Sequence, residues 1–201
     1  IVVWDEITPS LEPAPLSALE PPRFQDRCYI YFTSGSTGEP KAILGSYRGL
    51  SHFVQWQQHE FGISARHRVG QVTIPAFDPY LREVLLPLVA GAVLVMPAVR
   101  DLVLSDELLP WLNREEISVL HMVPTLFRQR LLQGDATQDG APHPLSLEYL
   151  FLAGEQLRGQ DLEQFYARYG EEQCQLVNLY GPTETTLAKV FRRVTPDDQA
   201  L

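Results

Sequence analysis

Between positions 33 and 41 the chain reads Thr33-Ser34-Gly35-Ser36-Thr37-Gly38-Glu39-Pro40-Lys41, a run of residues suited to gripping an anion. Gly35 and Gly38 accept positive φ and leave no side chain between the backbone and an approaching group. Successive backbone N–H groups in such a loop form an anion-sized concavity. Thr33, Ser34, Ser36 and Thr37 ring it with hydroxyl donors, and Lys41 adds a point charge. That is equipment for polyphosphate, although a Ser/Gly surface turn that binds nothing has the same composition. The order of residues excludes two common phosphate sites, because neither the Gly-Lys-Ser/Thr of a P-loop nor Gly-x-Gly-x-x-Gly is found here.

A second constellation, Asn178-Leu179-Tyr180-Gly181-Pro182-Thr183-Glu184-Thr185-Thr186, closes an apolar run at 175–180. A Gly-Pro turn can end a strand and do nothing more. In an open parallel sheet, however, ligands sit outside the carboxyl ends of the strands. There Tyr180 can stack on a purine, the Thr183 hydroxyl can reach a phosphate oxygen, and the Glu184 carboxylate can hold Mg²⁺.

In order and spacing these two runs resemble the signatures of the adenylate-forming enzymes, and most closely the adenylation domains of nonribosomal peptide synthetases. The resemblance runs from about Tyr29 to Val194. It implies that Thr33, Ser34, Gly35, Ser36, Thr37, Gly38 and Lys41 embrace the ATP β,γ-phosphates. It puts Tyr180 against adenine with Asn178 and Gly181 beside it, Thr183 near the α-phosphate, and Glu184 on Mg²⁺. Lys41, Thr183 and Glu184 would then act on the reacting phosphates. Ala153-Gly154-Glu155 resembles the family's Gly-Glu turn, adding Gly154 and Glu155 to the nucleotide site. The glycine that usually follows the loop lysine is Ala42 here.

Phe77-Asp78-Pro79 resembles the family's Phe-Asp motif, whose aspartate pairs with the substrate α-ammonium in amino-acid-activating members. Capping a helix N-terminus is the structural alternative for Asp78. By the same resemblance Pro79, Arg82, His121, Phe151, Ala153, Leu179, Leu187 and Ala188 line the side-chain pocket. Arg82 falls four residues after Asp78, on the same helix face. An arginine in a closed pocket needs an anion, which here is a substrate carboxylate or Asp78, with His121 sharing the task. The expected substrate is therefore an acidic amino acid, aspartate- or glutamate-like, unless Arg82 merely snorkels to the surface. The other four histidines, His52, His59, His67 and His143, read as solvated.

The reaction the resemblance implies is attack of a carboxylate on the ATP α-phosphorus, with pyrophosphate leaving. The acyl group would then pass to the phosphopantetheine thiol of a carrier protein, with carrier and condensation domains as partners. Family members also carry a segment before the first motif and, after the second, a ribose-binding Asp, a hinge and a small domain with a catalytic Lys. The expectation is thus the central part of an N-terminal core, with little activity alone. An acyl-CoA or aryl-acid ligase core, which needs no acid at position 78, and a non-catalytic adenylation subdomain are the alternatives.

The elements that must position these residues are legible as alternating strand and helix patterns. Strands are expected at 29–32, 69–74, 92–96, 117–123, 147–152, 175–180 and 187–194. Helices are expected at about 47–61, 79–90, 105–115, 125–133 and 159–169. Helix 79–90 is expected to present Leu81, Val84, Leu85 and Leu88 as one stripe, and Ser105 is expected to cap the helix that follows it. Such alternation predicts an α/β fold with a mostly parallel sheet flanked by helices on both faces. Residues 1–28 read as an entry strand and Pro-rich connector, holding five of the sixteen prolines between 5 and 27, with the α/β segment at 29–201. Residues 134–144 read as a surface loop.

A chain of 201 residues with 45% apolar and 20% charged content can bury a full core. Its formal charge of −9 disfavours nucleic acid or an anionic membrane as partner. Two cysteines are too few for a disulfide framework, which points to a reducing, cytoplasmic setting. No apolar run approaches a membrane span.

Overall fold

The computed structural model describes residues 21–34, 38–133 and 144–200. The entry strand, most of the Pro-rich connector, the loop-tip residues Gly35, Ser36 and Thr37, nearly all of the 134–144 loop and His143 lie outside the described residues.

Strands β1 (Arg27–Ser34) and β2 (Pro40–Ser46) form an antiparallel two-stranded ribbon of their own. This corrects the sequence expectation, which placed the strand at 29–32 in the main sheet and assigned no strand to 40–46. Lys41 pairs back against Thr33, Ala42 against Phe32 and Leu44 against Ile30. Only Ile43 and Leu44 favour a strand, and Pro40 and Gly45 bracket them as apparent breakers. Pro40 is tolerated because it opens the strand. Ser46 ends the ribbon and caps α1 (Tyr47–Glu60), its Oγ accepting the Gly49 N–H at 3.3 Å.

The main sheet has six strands: β3 (Arg68–Gly70), β4 (Val93–Val95), β5 (Val119–Met122), β6 (Tyr149–Ala153), β7 (Gln175–Tyr180) and β8 (Val190–Arg193). Their spatial order is β4-β3-β5-β6-β7-β8, and every pairing is parallel except β7 with β8. Helices α2 (Pro79–Ala90), α3 (Leu108–Arg114), α4 (Pro124–Arg130) and α5 (Gly159–Tyr169) connect them. Successive strand residues face opposite sides. Leu120, Leu150, Leu152 and Leu176 pack with Trp111 of α3, Phe127 of α4 and Phe165 of α5. Val119, Phe151, Val177 and Leu179 pack on the other side with Phe53 of α1 and Leu86 of α2. The mostly parallel sheet with helices on both faces is as expected.

Four local expectations need correction. In α2 the buried residues are Arg82, Glu83, Leu86 and Pro87, while Leu88 is 66% exposed. The apolar stripe was misread because the face turned inward carries two charged residues. Residues 71–74 leave the sheet, because the Val72 and Thr73 N–H groups donate to Glu83 at 2.9 and 2.8 Å instead of to a strand. His67 is buried, not solvated: its Nδ1 accepts the Ser64 N–H at 3.0 Å and its Nε2 lies 3.5 Å from Glu148. Helix α3 starts later than expected, with Ser105 Oγ accepting the Glu107 N–H at 3.3 Å just ahead of it. Among the described residues no helix is long and apolar enough to cross a membrane.

Candidate active site

At the carboxyl ends of β5, β6 and β7 two cavities meet. The first, about 460 Å³, is walled by Phe77, Asp78, Pro79 and Arg82 from the start of α2 and the loop before it. Met122, Val123 and Ala153 close it from the strand ends, and Thr183, Leu187 and Ala188 from the turn after β7. The second, about 570 Å³, lies between Gly154-Glu155-Gln156-Leu157 and Asn178-Leu179-Tyr180-Gly181-Pro182. Gly154, Glu155, Gly181 and Pro182 line both.

The polar groups of the first cavity come from segments distant in sequence. Asp78 occupies the N-cap position of α2 but its side chain makes no capping bond. Thr183 and Leu187 stand beside it in the cavity wall. Burial raises the Asp78 pKa, an effect which Thr183, the Arg82 charge and the Leu187 backbone partly offset. Arg82 is 3% exposed, and its buried Nε has no hydrogen-bond partner. Burial lowers its pKa to about 10 against the opposing pull of Glu83 and Asp78, so it stays charged at neutral pH. Among the described residues no carboxylate comes within ion-pair distance of it. A buried guanidinium with an idle donor beside a cavity is equipped to receive an anion.

Of the residues expected in the side-chain pocket, Asp78, Pro79, Arg82, Ala153, Leu187 and Ala188 do line the cavity. Leu179 lines the second cavity instead. Phe151 and His121 are absent from both linings and sit in the sheet's core layer, where His121 is 0% exposed and stacks on Phe151 at 4.8 Å. His121 Nε2 meets the Gln57 amide at 2.7 Å. Burial holds the imidazole pKa well below its ordinary value, aided by the Arg82 charge. It is therefore neutral, and the expectation that it shares an anion with Arg82 is corrected. The period-2 alternation that turns residue 121 toward α1 could have flagged this.

In the second cavity Tyr180 is 73% exposed and presents an aromatic ring to the wall. Glu155 is tethered to the start of α4, accepting from the Thr125 N–H at 2.8 Å and the Thr125 hydroxyl at 2.6 Å. Gly181 serves the fold: a Cβ there would lie 2.4 Å from the Leu187 carbonyl oxygen and 2.7 Å from the Ala188 Cα. We expect Gly181→Ala to push residues 187–189 outward, lowering stability by about 1–3 kcal/mol and disrupting the cavity wall. Thermal unfolding with a ligand-binding assay checks this, and an unchanged midpoint would count against it.

The ribbon lies against this site. Strand β2 contacts the 3-10 turn Thr183–Thr185, and the Tyr29 hydroxyl donates to Thr186 Oγ1 at 3.2 Å. The strand ends bearing Thr33, Ser34 and Lys41, together with Gly38 at φ 88°, are thus on a ribbon joined to the turn bearing Thr183 and Glu184. Among the described residues no cluster of three or more His, Cys, Asp or Glu could hold a metal. A lone exposed carboxylate such as Glu184 fits Mg²⁺, which is commonly bound through one or two carboxylates together with substrate phosphates.

The profile of the AMP-binding enzymes matches residues 4–200. The chain belongs to the AMP-binding enzyme family. This AMP-binding chain is 33% identical over 202 residues to syringomycin synthase SyrB1 of Pseudomonas syringae pv. syringae, covering 98% of itself and 32% of that protein. It is 32% identical over 156 residues to the L-2-aminoadipate reductase of Schizosaccharomyces pombe, covering 78% of itself and 10% of that protein. It superimposes with a TM-score of 0.74 and 30% identity on the Vibrio cholerae adenylation domain AlmE, solved with glycyl-adenosine-5'-phosphate, over 87% of itself and 31% of that chain. The AMP-binding chain therefore spans a third or less of these relatives' length.

Proposed function

We propose that this segment is the central part of an adenylation core that activates an amino acid carboxylate with ATP. The observation that carries the reading is the pairing of Asp78 and the buried Arg82 in a cavity that adjoins a second one faced by Tyr180. Asp78 receives the substrate ammonium and Arg82 a carboxylate. The substrate is then an acidic amino acid, with aspartate, glutamate and 2-aminoadipate the chemistries of matching charge. The aminoadipate reductases among the relatives, also present in Saccharomyces cerevisiae at 32% identity, support that choice.

In this reading Tyr180 and the Gly154-Glu155 turn hold adenine, with Asn178 and Gly181 beside it. The β1–β2 loop, from Thr33 through Gly35, Ser36 and Thr37 to Lys41, holds the β,γ-phosphates. Thr183 contacts the α-phosphate region. The substrate carboxylate attacks the α-phosphorus in line, the bond to the bridging oxygen breaks, and pyrophosphate leaves with that electron pair. The chain's share is positioning and charge neutralisation. Mg²⁺ held by Glu184 would neutralise phosphate charge. Transfer to a phosphopantetheine thiol on a carrier domain follows, with condensation domains as neighbours in a longer synthetase.

ATP–pyrophosphate exchange by the full-length protein bearing this segment, with amino, hydroxy, fatty and aryl acids, tests the reading. Acidic amino acids should support exchange, and Asp78→Asn should suppress exchange with every amino acid by about tenfold or more. Exchange with fatty or aryl acids only would turn the reading into that of an acyl or aryl ligase.

A further inference from the structure

Thr186 and Leu187 are consecutive non-glycine residues in the left-handed region, at φ 68° and 59°. A β-branched residue there persists only where its surroundings hold it. The restraint comes from the ribbon, as the Tyr29 hydroxyl bonds to Thr186 Oγ1 at 3.2 Å. Both side chains need cleared ground. Gly45 lies opposite Tyr29 in the ribbon, and a Cβ on it would fall 1.8 Å from the ring's Cζ. A Cβ on Gly49, in the first turn of α1, would fall 2.8 Å from Thr186 Oγ1. Two glycines within one short stretch thus make room for a single hydrogen bond.

The held segment ends in the substrate cavity. Leu187 lines it together with Asp78 and Thr183. At the other end, Tyr29 lies on the strand that runs into Thr33 and Ser34, the start of the phosphate loop. Burial raises the pKa of the Tyr29 hydroxyl, and the Asp78 charge adds to it, so the two ends are electrostatically close.

We propose that Tyr29 is a positioning residue that pins the strained Thr186–Leu187 link, holds Leu187 in the cavity wall beside Asp78, and so couples the phosphate-loop strand to the amino-acid site. This rests on Asp78 being the amine acceptor. Nucleotide held by the ribbon steadies Tyr29, and the amino acid then binds a better-ordered Asp78. By linkage the effect is reciprocal.

The test is equilibrium binding to the full-length protein bearing this segment. The probes are magnesium α,β-methylene-ATP and whichever of aspartate, glutamate or 2-aminoadipate the wild type exchanges. The wild type should bind the amino acid more tightly with the analogue present. Tyr29→Phe should reduce that enhancement by up to about tenfold, the factor equivalent to one hydrogen bond, and raise the amino-acid KM similarly. Its kcat and its affinity for the analogue alone should stay within about twofold of wild type. Thr186→Ser keeps the hydroxyl and should preserve the coupling, whereas Thr186→Val should behave like Tyr29→Phe, and the double variant should be no worse than either single one. Full enhancement in Tyr29→Phe, or none in the wild type, overturns the proposal and leaves Asp78 as amine acceptor standing. A wild type that exchanges with no amino acid overturns both.

Discussion

Replacing Arg82 with alanine should cut exchange with aspartate, glutamate or 2-aminoadipate by about a hundredfold or more while nucleotide binding persists. The expected size follows from burial. A largely buried guanidinium at a cavity wall can meet a carboxylate in two charge-assisted hydrogen bonds, each worth about 1.5–3 kcal/mol where water is excluded. Two such bonds correspond to a factor of at least about 10². A second effect works in the same direction. Arg82 is one of the groups holding the Asp78 pKa down against burial. Without it that carboxyl titrates higher still, and the amine site weakens toward every amino acid. Neutral amino acids separate the two effects. If exchange with them falls as far as with acidic ones, Arg82 only supports Asp78. If acidic preference survives the substitution unchanged, no substrate carboxylate is read here. Arg82→Lys should not rescue, because a single ammonium cannot reproduce the planar fork.

Glu83→Ala should be the most destabilising single change near the site. Glu83 is 0% exposed and accepts from the Val72 N–H, the Thr73 N–H and the Thr73 hydroxyl, the last at 2.5 Å. Truncation leaves these donors partly buried without a partner, at about 1–3 kcal/mol each. A total on the order of 4 kcal/mol corresponds to roughly 10 °C in Tm. The loop from Gln71 to Asp78 loses its anchor, so amino-acid binding should fall together with stability. Glu83→Gln retains an acceptor oxygen and should cost much less. Burial, partly offset by the Thr73 bonds, raises the Glu83 pKa above its ordinary value. The folded state therefore binds that proton more tightly than the unfolded chain does. Its contribution is fully present below the unfolded pKa and is lost as pH rises through the folded one. Denaturant titrations across that window should show the wild type gaining on Glu83→Gln as pH falls. A pH-independent difference would mean that Glu83 titrates like an exposed carboxylate.

The sequence by itself determined the fold class and the family. Mostly apolar runs at 117–123, 147–152 and 175–180, alternating with helical patterns, predicted a mostly parallel sheet, because most of their residues suit a strand covered on both faces. Two glycine-bearing runs in fixed order carried the family, since their residue order is far less common than their composition. Tertiary structure decided which residues face the cavity and which face the core. His121 and Phe151 lie within their strands in the layer beneath α1, whereas Ala153, on the same face as Phe151, ends β6 at the cavity. Alternation gives the face of each residue, but where each strand ends, and so which of its residues reach the cavity, is set by the packed sheet. Tertiary structure also set the buried face of α2. Arg82 and Glu83 point inward because each has a specific task there, one beside a cavity and the other under a loop, which overrides the apolar stripe their neighbours suggest. The ribbon, too, was beyond the sequence. No strand was expected at 40–46, and only the packed structure shows that Gly45 lacks a side chain so that the Tyr29 ring can cross it toward Thr186.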